Sequence, residues 1–126
     1  MEAEGVSPGV ALVQLDRALD DPPQASPEYQ RELGALLHSL RSNGIGVSAR
    51  YDVLDAGNGG SGLSGIFVIK LSSVGPVLGA VIGAWLDGRY GRKAKLRIGD
   101  LESEAQTGEE FVRLAKDQQK KSQRAS

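Results

Sequence analysis

The spacing of apolar and polar positions predicts a series of short elements along the chain. Ala11, Val13 and Leu15 lie two residues apart, so they share one face of an extended backbone. This spacing predicts a first strand over residues 10–19. The strand is expected to end before Pro22-Pro23, because proline has no N–H to donate to a sheet.

A helix is predicted next, with a start and an end that both have a physical basis. Ser26-Pro27-Glu28 combines an N-cap hydroxyl, a proline suited to the first helical position and an acid in the first turn. Asn43-Gly44 supplies the left-handed conformation that often ends a helix. Between them, four leucines recur at helical spacing and form one apolar stripe: Leu33, Leu36, Leu37 and Leu40.

Residues 45–54 predict a second strand, because apolar and polar residues alternate along them. The residues expected to face inward are Ile45, Val47, Ala49, Tyr51 and Val53. With the first strand and the helix, this strand would complete a βαβ-like opening unit. The glycine-rich segment 56–62 follows as a predicted flexible linker.

Residues 62–91 contain the one long apolar run of the chain, and they predict a central helix that is apolar nearly all round. Gly75, Gly79 and Gly83 recur every four residues and form a small-residue stripe on that helix. Such a stripe lets a second backbone approach closely, so these three glycines are the candidate helix-packing interface. A helix of this kind is either buried in protein or spans lipid.

Length favours the buried alternative. A helix from Ser73 to Leu86 is about 21 Å long, whereas the hydrocarbon core of a bilayer is roughly 30 Å thick. Extending the helix back to Ile66 would give the length, but it would place Lys70 inside the span and a kink at Pro76. The alternative hypothesis is a protein attached to the inner membrane by a single helix over residues 66–86, which self-associates through its glycines.

A β-hairpin is predicted after the central helix. Lys93–Ile98 would form its first strand, Gly99-Asp100 the two-residue turn and Leu101–Gln106 the returning strand. In that register the opposed pairs are Arg97 with Glu102, Lys95 with Glu104, and Ile98 with Leu101. Opposite charges would therefore face each other on one side and apolar residues on the other.

A final helix is predicted from a capping box, Thr107 to Glu110. Its inward edge comprises Phe111, Leu114, Ala115 and Gln118. The complete pattern predicts a single small α+β domain over residues 10–119, with helices on one side of an antiparallel or mixed sheet. Residues 1–9 are expected to form a mobile arm and residues 120–126 a frayed tail.

Composition limits the chemistry. The 126 residues include no cysteine and one histidine, which argues against thiolate catalysis, disulfides and Cys- or His-based metal sites. No catalytic residue, cofactor or metal ligand is therefore predicted, and the chain is not expected to be an enzyme. The N-terminus is acidic and has no apolar signal segment, which favours a cytoplasmic location.

Two local patterns resemble functional motifs. Residues 57–62 fit GxGxxG, but no acidic residue follows at the end of a strand about 20 residues later, as a dinucleotide site requires. We interpret this segment as a linker, and an enzyme that uses it is the weakest alternative. His38 lies beside the leucine stripe without an orienting partner or nucleophile nearby in the pattern, so it is interpreted as a boundary residue.

A basic run from Arg89 to Arg97 is the charge feature with functional weight. Arg89, Arg92 and Lys93 are candidates for contact with phosphates or lipid head groups. The alternative is the exposed face of a strand, partly neutralised by the acids opposite. Tyr90 is the one aromatic residue within the run, so nucleic-acid binding is not expected.

The second half of the chain resembles a known family. The residues that carry the resemblance are Ala84-Trp85-Leu86, Arg89-Tyr-Gly-Arg-Lys93, Lys95-Leu-Arg-Ile-Gly99, Leu101-Glu-Ser-Glu-Ala105 and Thr107-Gly-Glu-Glu-Phe-Val-Arg-Leu114. They look like the bacterial effector-associated constant component domains, which accompany protease or other effector modules in conflict systems. The resemblance implies a non-catalytic adaptor in defence. Its partner would be a protein, such as an effector encoded nearby, or a second copy of the chain.

Overall fold

The computed structural model describes residues 9–53 and 61–125, which form three helices and five strands. The elements in chain order are β1 (Val10–Asp16), α1 (Pro27–Ser42), β2 (Val47–Val53), β3 (Ser61–Lys70), a short 3₁₀ turn (Leu71–Ser73), α2 (Pro76–Asp87), β4 (Lys93–Ile98), β5 (Leu101–Ala105) and α3 (Gly108–Ala125). The predicted α+β domain is confirmed, with one strand more than the sequence indicated. Helix α3 includes residues 120–125, which the sequence analysis assigned to the tail.

The strands form one antiparallel sheet in the order β2-β3-β1-β4-β5. Strands β1 and β2 run parallel to each other because both are antiparallel to β3, which lies between them. The predicted βαβ opening unit is therefore present in split form. Strands β3 and β4 flank β1 in the same way and are joined through α2, which makes a second split βαβ unit.

Strand β3 is the element that the sequence analysis missed. Its buried residues Leu63, Phe67 and Ile69 alternate with half-exposed ones, and it pairs with both β1 and β2. An apolar run this short fits a strand or a buried helix, and here the β-branched and aromatic residues favour the strand. The predicted helix from Ser73 to Leu86 corresponds closely to α2, whereas its extension back to Ile66 is wrong, because those residues belong to β3.

Helix α2 begins at Pro76 and has 12 residues, so it is about 18 Å long. Within residues 9–53 and 61–125, none of the helices has the length and apolar character needed to span a membrane. The single helix over residues 66–86 that the membrane alternative requires is not formed, because residues 61–70 belong to the sheet.

One face of the sheet carries the core. Ala11, Val13 and Phe67 are fully buried there against the leucine stripe of α1 and the apolar side of α2. Two residues predicted to face inward are instead exposed: Tyr51 is 62% exposed and Leu101 is 57% exposed. Tyr51 follows a bulge in the β2–β3 pairing, and Leu101 opens β5 at the hairpin turn, away from the buried end of that strand.

The glycine stripe of α2 is occupied by α3 of the same chain. A Cβ on Gly79 would lie 2.9 Å from the Cα of Val112, and a Cβ on Gly83 would lie 3.0 Å from the Cα of Gly108. Gly75 is the residue before the helix and faces the side chain of Gln119. The close approach predicted for Gly79 is confirmed, and the second backbone belongs to this domain.

The predicted hairpin register is confirmed: Lys95 opposes Glu104, Arg97 opposes Glu102 and Ile98 opposes Leu101. Gly99 opens the turn with a φ of +59°, which glycine adopts without strain. The first half of the predicted capping box is present, since Thr107 Oγ1 accepts from the Glu110 N–H at 3.1 Å. The Glu110 carboxylate accepts from the N–H of Gln106, one residue before the position that a capping box uses.

We expect Arg97 and Glu102 to be weakly coupled across this hairpin. Exchanging the two charges together should leave stability nearly unchanged, whereas Arg97→Glu or Glu102→Arg alone should cost about 0.2–1 kcal/mol. A double-mutant cycle based on urea unfolding measures the coupling. Strictly additive effects would show that the facing charges do not interact.

Candidate interaction site on the paired loops

Arg92 does not lie on the surface as the basic run predicted; its side chain is 2% exposed. Its Nε and Nη2 donate to the two carboxylate oxygens of Asp21 at 3.0 and 2.8 Å. Nη2 also donates to Glu32 Oε2 at 2.7 Å, and Nη1 donates to the carbonyl oxygen of Trp85 at 2.7 Å. The guanidinium carbon lies 4.4 Å from the centre of the Trp85 ring. Arg92 is therefore held by protein groups on all sides and is not a phosphate or lipid contact.

Asp21 is the carboxylate on which this cluster converges, and its side chain is completely buried. Besides Arg92, it accepts from the backbone N–H of Ala18 at 2.7 Å. Burial raises the pKa of Asp21, but the hydrogen bonds from Arg92 and Ala18 and the charges of Arg92 and Arg89 outweigh it, so the pKa is lowered overall. The carboxylate is therefore ionised at neutral pH.

Arg89 is the second arginine that contacts Asp21. Its Nε lies 2.8 Å from Asp21 Oδ1, without the alignment of a hydrogen bond, and its Nη1 donates to the carbonyl oxygen of Asp20 at 3.2 Å. The side chain is 38% exposed. Lys93 is exposed at the start of β4, opposite Asp16 of β1. Of the three predicted cationic contacts, only Lys93 and part of Arg89 remain at the surface.

The cluster ties together two loops that are far apart in sequence. We call residues 17–22 and 88–92 the paired loops. Gly91 has a φ of +99°, and a Cβ on it would lie 3.2 Å from the Cβ of Ala18, so the loops are in direct contact. A salt-bridged carboxylate from one loop and two arginines from the other fix their relative position.

Two large apolar side chains project from these loops. Leu19 is fully exposed, and Tyr90 is 99% exposed. A single exposed leucine needs no explanation, but here each of two contacting loops presents one. From the sequence, Tyr90 was recognised only as the aromatic residue within the basic run, and neither the exposure of Leu19 nor the pairing of Asp21 with Arg92 was predicted.

A cavity of about 300 Å³ lies beside Tyr90. Its walls come from the end of α2, the second of the paired loops, and the connection between β5 and α3. Asp87, Lys93, Gln106 and Thr107 contribute polar groups to it. Asp87 Oδ1 already accepts from the N–H of Gly108 at 2.8 Å, so this carboxylate serves the start of α3.

The other candidate chemistry finds no support in the geometry. His38 is exposed on α1. Within residues 9–53 and 61–125, no three acidic or histidine side chains are grouped as a metal site requires. Most of the GxGxxG segment, residues 57–60, lies outside the described residues.

Tyr29 lies in the core near this cluster, and its hydroxyl has no hydrogen-bond partner among the described residues. Burial, with a contribution from the charge of Asp21, raises the pKa of Tyr29 to about 12 from 10.0. Since the folded-state pKa is above the unfolded one, the native state favours neutral tyrosine. Its contribution to stability is full below pH 10 and is lost as the pH rises through about 12.

We therefore expect Tyr29→Phe to be more stable than the wild type by about 1 kcal/mol at pH 7, because it removes a buried unsatisfied donor. As the pH rises from 10 through 12, the wild type should lose roughly 2–3 kcal/mol of stability that the variant keeps. Urea unfolding at each pH measures both quantities. A variant less stable than the wild type at pH 7 would mean that the hydroxyl has a partner, such as a buried water.

Comparison with known proteins adds no assignment, since no protein family, curated protein or solved structure matches the chain.

Proposed function

We propose that this chain is a non-catalytic adaptor domain that docks an effector protein in a bacterial conflict system. The observation that carries the docking role is the pair of exposed apolar side chains, Leu19 and Tyr90, on rigidly joined loops. The biological setting rests on the resemblance of the second half of the chain to the effector-associated constant component domains.

The free-energy cost of burying the ion pair between the paired loops supports a binding role. Asp21 and Arg92 are both removed from water, and a buried ion pair often stabilises a protein no more than apolar residues of similar size would. What the cluster does provide is a fixed geometry for the loops. A preorganised surface loses less conformational entropy on binding, so its contacts contribute more fully to affinity.

Tyr90 has the properties of an anchor residue. Tyrosine is enriched among the residues that dominate binding energy at protein interfaces, because its ring offers a large contact area with few rotatable bonds. Around it, Arg89, Asp20 and Lys93 supply charges at the edge of the site. An apolar centre with a charged rim is the usual arrangement of an interface.

The test is co-expression of the chain with each effector encoded by a neighbouring gene, followed by co-purification and titration of the complex. We expect Leu19→Ser/Tyr90→Ser to weaken the complex by about 100-fold or more, which corresponds to the loss of one interface anchor. Tyr51→Ser/Val77→Ser is the matched control, because it removes one exposed aromatic and one exposed aliphatic side chain elsewhere.

Three results would contradict the proposal: no neighbouring effector binds, both double variants bind like the wild type, or both weaken the complex equally. Light scattering of the isolated chain shows whether Leu19 and Tyr90 instead mediate a homo-oligomer. In that case the serine variant would be monomeric while the wild type is not.

A further inference from the structure

Strand β5 is one edge of the sheet that residues 9–53 and 61–125 form, and within those residues its outer backbone groups have no partner strand. It pairs with β4 in unbroken register over all five residues. The opposite edge, β2, is joined to β3 through a bulge between Ala49 and Tyr51. Bulges make a strand a poorer template for a further strand, so β5 is the more regular of the two edges.

Two acids give this edge its charge. Glu102 and Glu104 are exposed on the face of the sheet away from the core. They oppose Arg97 and Lys95, yet neither pair comes within the 4.0 Å of an ion pair in the described part of the chain. Both carboxylates are therefore available to groups that approach from the open side of β5.

Pairing of β5 with itself in a second copy is disfavoured by the same acids. An antiparallel pair centred on Ser103 would place Glu102 of each copy opposite Glu104 of the other. Like charges directly opposite each other destabilise a strand pair. On one side of β5, strand β4 places Lys95 and Arg97 opposite the two acids. A strand with Lys or Arg at alternate positions would place the same charges opposite them on the open side of β5.

We propose that β5 receives an extended, alternately basic segment of the effector, which adds a sixth strand to the sheet. This inference rests on the proposed function and specifies the partner's chemistry. Main-chain hydrogen bonds to β5 give affinity, and the charge pairs with Glu102 and Glu104 set the register. Strand β5 leads into Gln106 and Thr107, which line the cavity beside Tyr90, so the edge that would receive the added strand ends next to that cavity.

The probe is a blocked nine-residue peptide that alternates Lys with Val, compared with the same peptide carrying Glu in place of Lys. NMR titration measures the affinity of each peptide. The slowing of amide hydrogen exchange shows which residues the bound peptide covers. We expect the Lys peptide to bind at least about tenfold more tightly and to protect amides of β5. Glu102→Lys/Glu104→Lys should reverse the preference between the two peptides.

The matched control is Glu109→Lys/Asp117→Lys, which makes the same change in net charge at two exposed positions of α3. It should keep the preference of the wild type. Equal loss in both double variants would show general charge attraction and overturn the proposal, as would protection outside β5 or no binding. Because the effector experiment depends on Leu19 and Tyr90, it can succeed when the peptide experiment fails, and the two proposals are separately testable.

Discussion

Arg92→Ala is expected to lower the free energy of unfolding by about 3–5 kcal/mol, because it leaves the carboxylate of Asp21 buried without its main partner. The loss also includes the contacts with Glu32 and with the carbonyl oxygen and ring of Trp85. For a domain of this size, such a change corresponds to a fall in melting temperature of roughly 10–25 °C. Urea unfolding and a thermal melt followed by circular dichroism measure it.

Three comparisons make this prediction specific. Arg113→Ala removes an exposed arginine paired with Glu109 and should cost less than about 1 kcal/mol. Arg92→Lys should recover only part of the loss, because an ammonium cannot make the bidentate contact or stack on Trp85. Asp21→Asn/Arg92→Met should be more stable than Arg92→Ala, since no unpaired charge remains in the fully buried part of the cluster. An Arg92→Ala variant as stable as Arg113→Ala would refute the structural role of the cluster.

The second large effect is expected at Gly79, where Leu should lower stability by about 1–3 kcal/mol. Any side chain here meets the Cα of Val112, which is backbone and cannot rotate away. Replacing glycine with alanine inside a helix normally stabilises it by about 1 kcal/mol, so the sign of the effect separates helix propensity from packing. We expect packing to dominate and Gly79→Ala to be destabilising as well.

Ala80→Leu is the control for Gly79, because Ala80 is exposed on the same helix. It should change stability by less than about 0.5 kcal/mol. Chemical unfolding of the three variants under one set of conditions gives the comparison. An unchanged melting temperature for Gly79→Leu would mean that α2 and α3 can move apart without a loss of stability.

The elements predicted correctly are those whose signals are local. Helix α1 has its N-cap, its leucine stripe and its terminal Gly44 within residues 26–44, and the structure shows Ser26 Oγ accepting from the Tyr29 N–H. The hairpin likewise has its turn and its charge pairs within a few residues. Such elements depend little on the rest of the chain.

The errors involve partners that are distant in sequence. Strand β3 could not be separated from α2 by periodicity, because the two form one continuous apolar run, and its pairing with β1 decides its structure. Arg92 was interpreted as a surface cation because its partner Asp21 lies 71 residues earlier. No residue near Arg92 in the sequence indicates that its side chain pairs with a buried carboxylate.

The position of β1 has a consequence for how the chain acquires its proposed binding surface. This strand comes first in the sequence but lies in the middle of the sheet, between β3 and β4. During synthesis it emerges long before either neighbour, and long-range pairings of this kind form slowly. The paired loops cannot meet until β4 follows α2, so the loops that carry Leu19 and Tyr90 make contact only in a nearly finished domain. A partner that contacts both side chains would therefore bind complete copies in preference to truncated or incompletely folded ones.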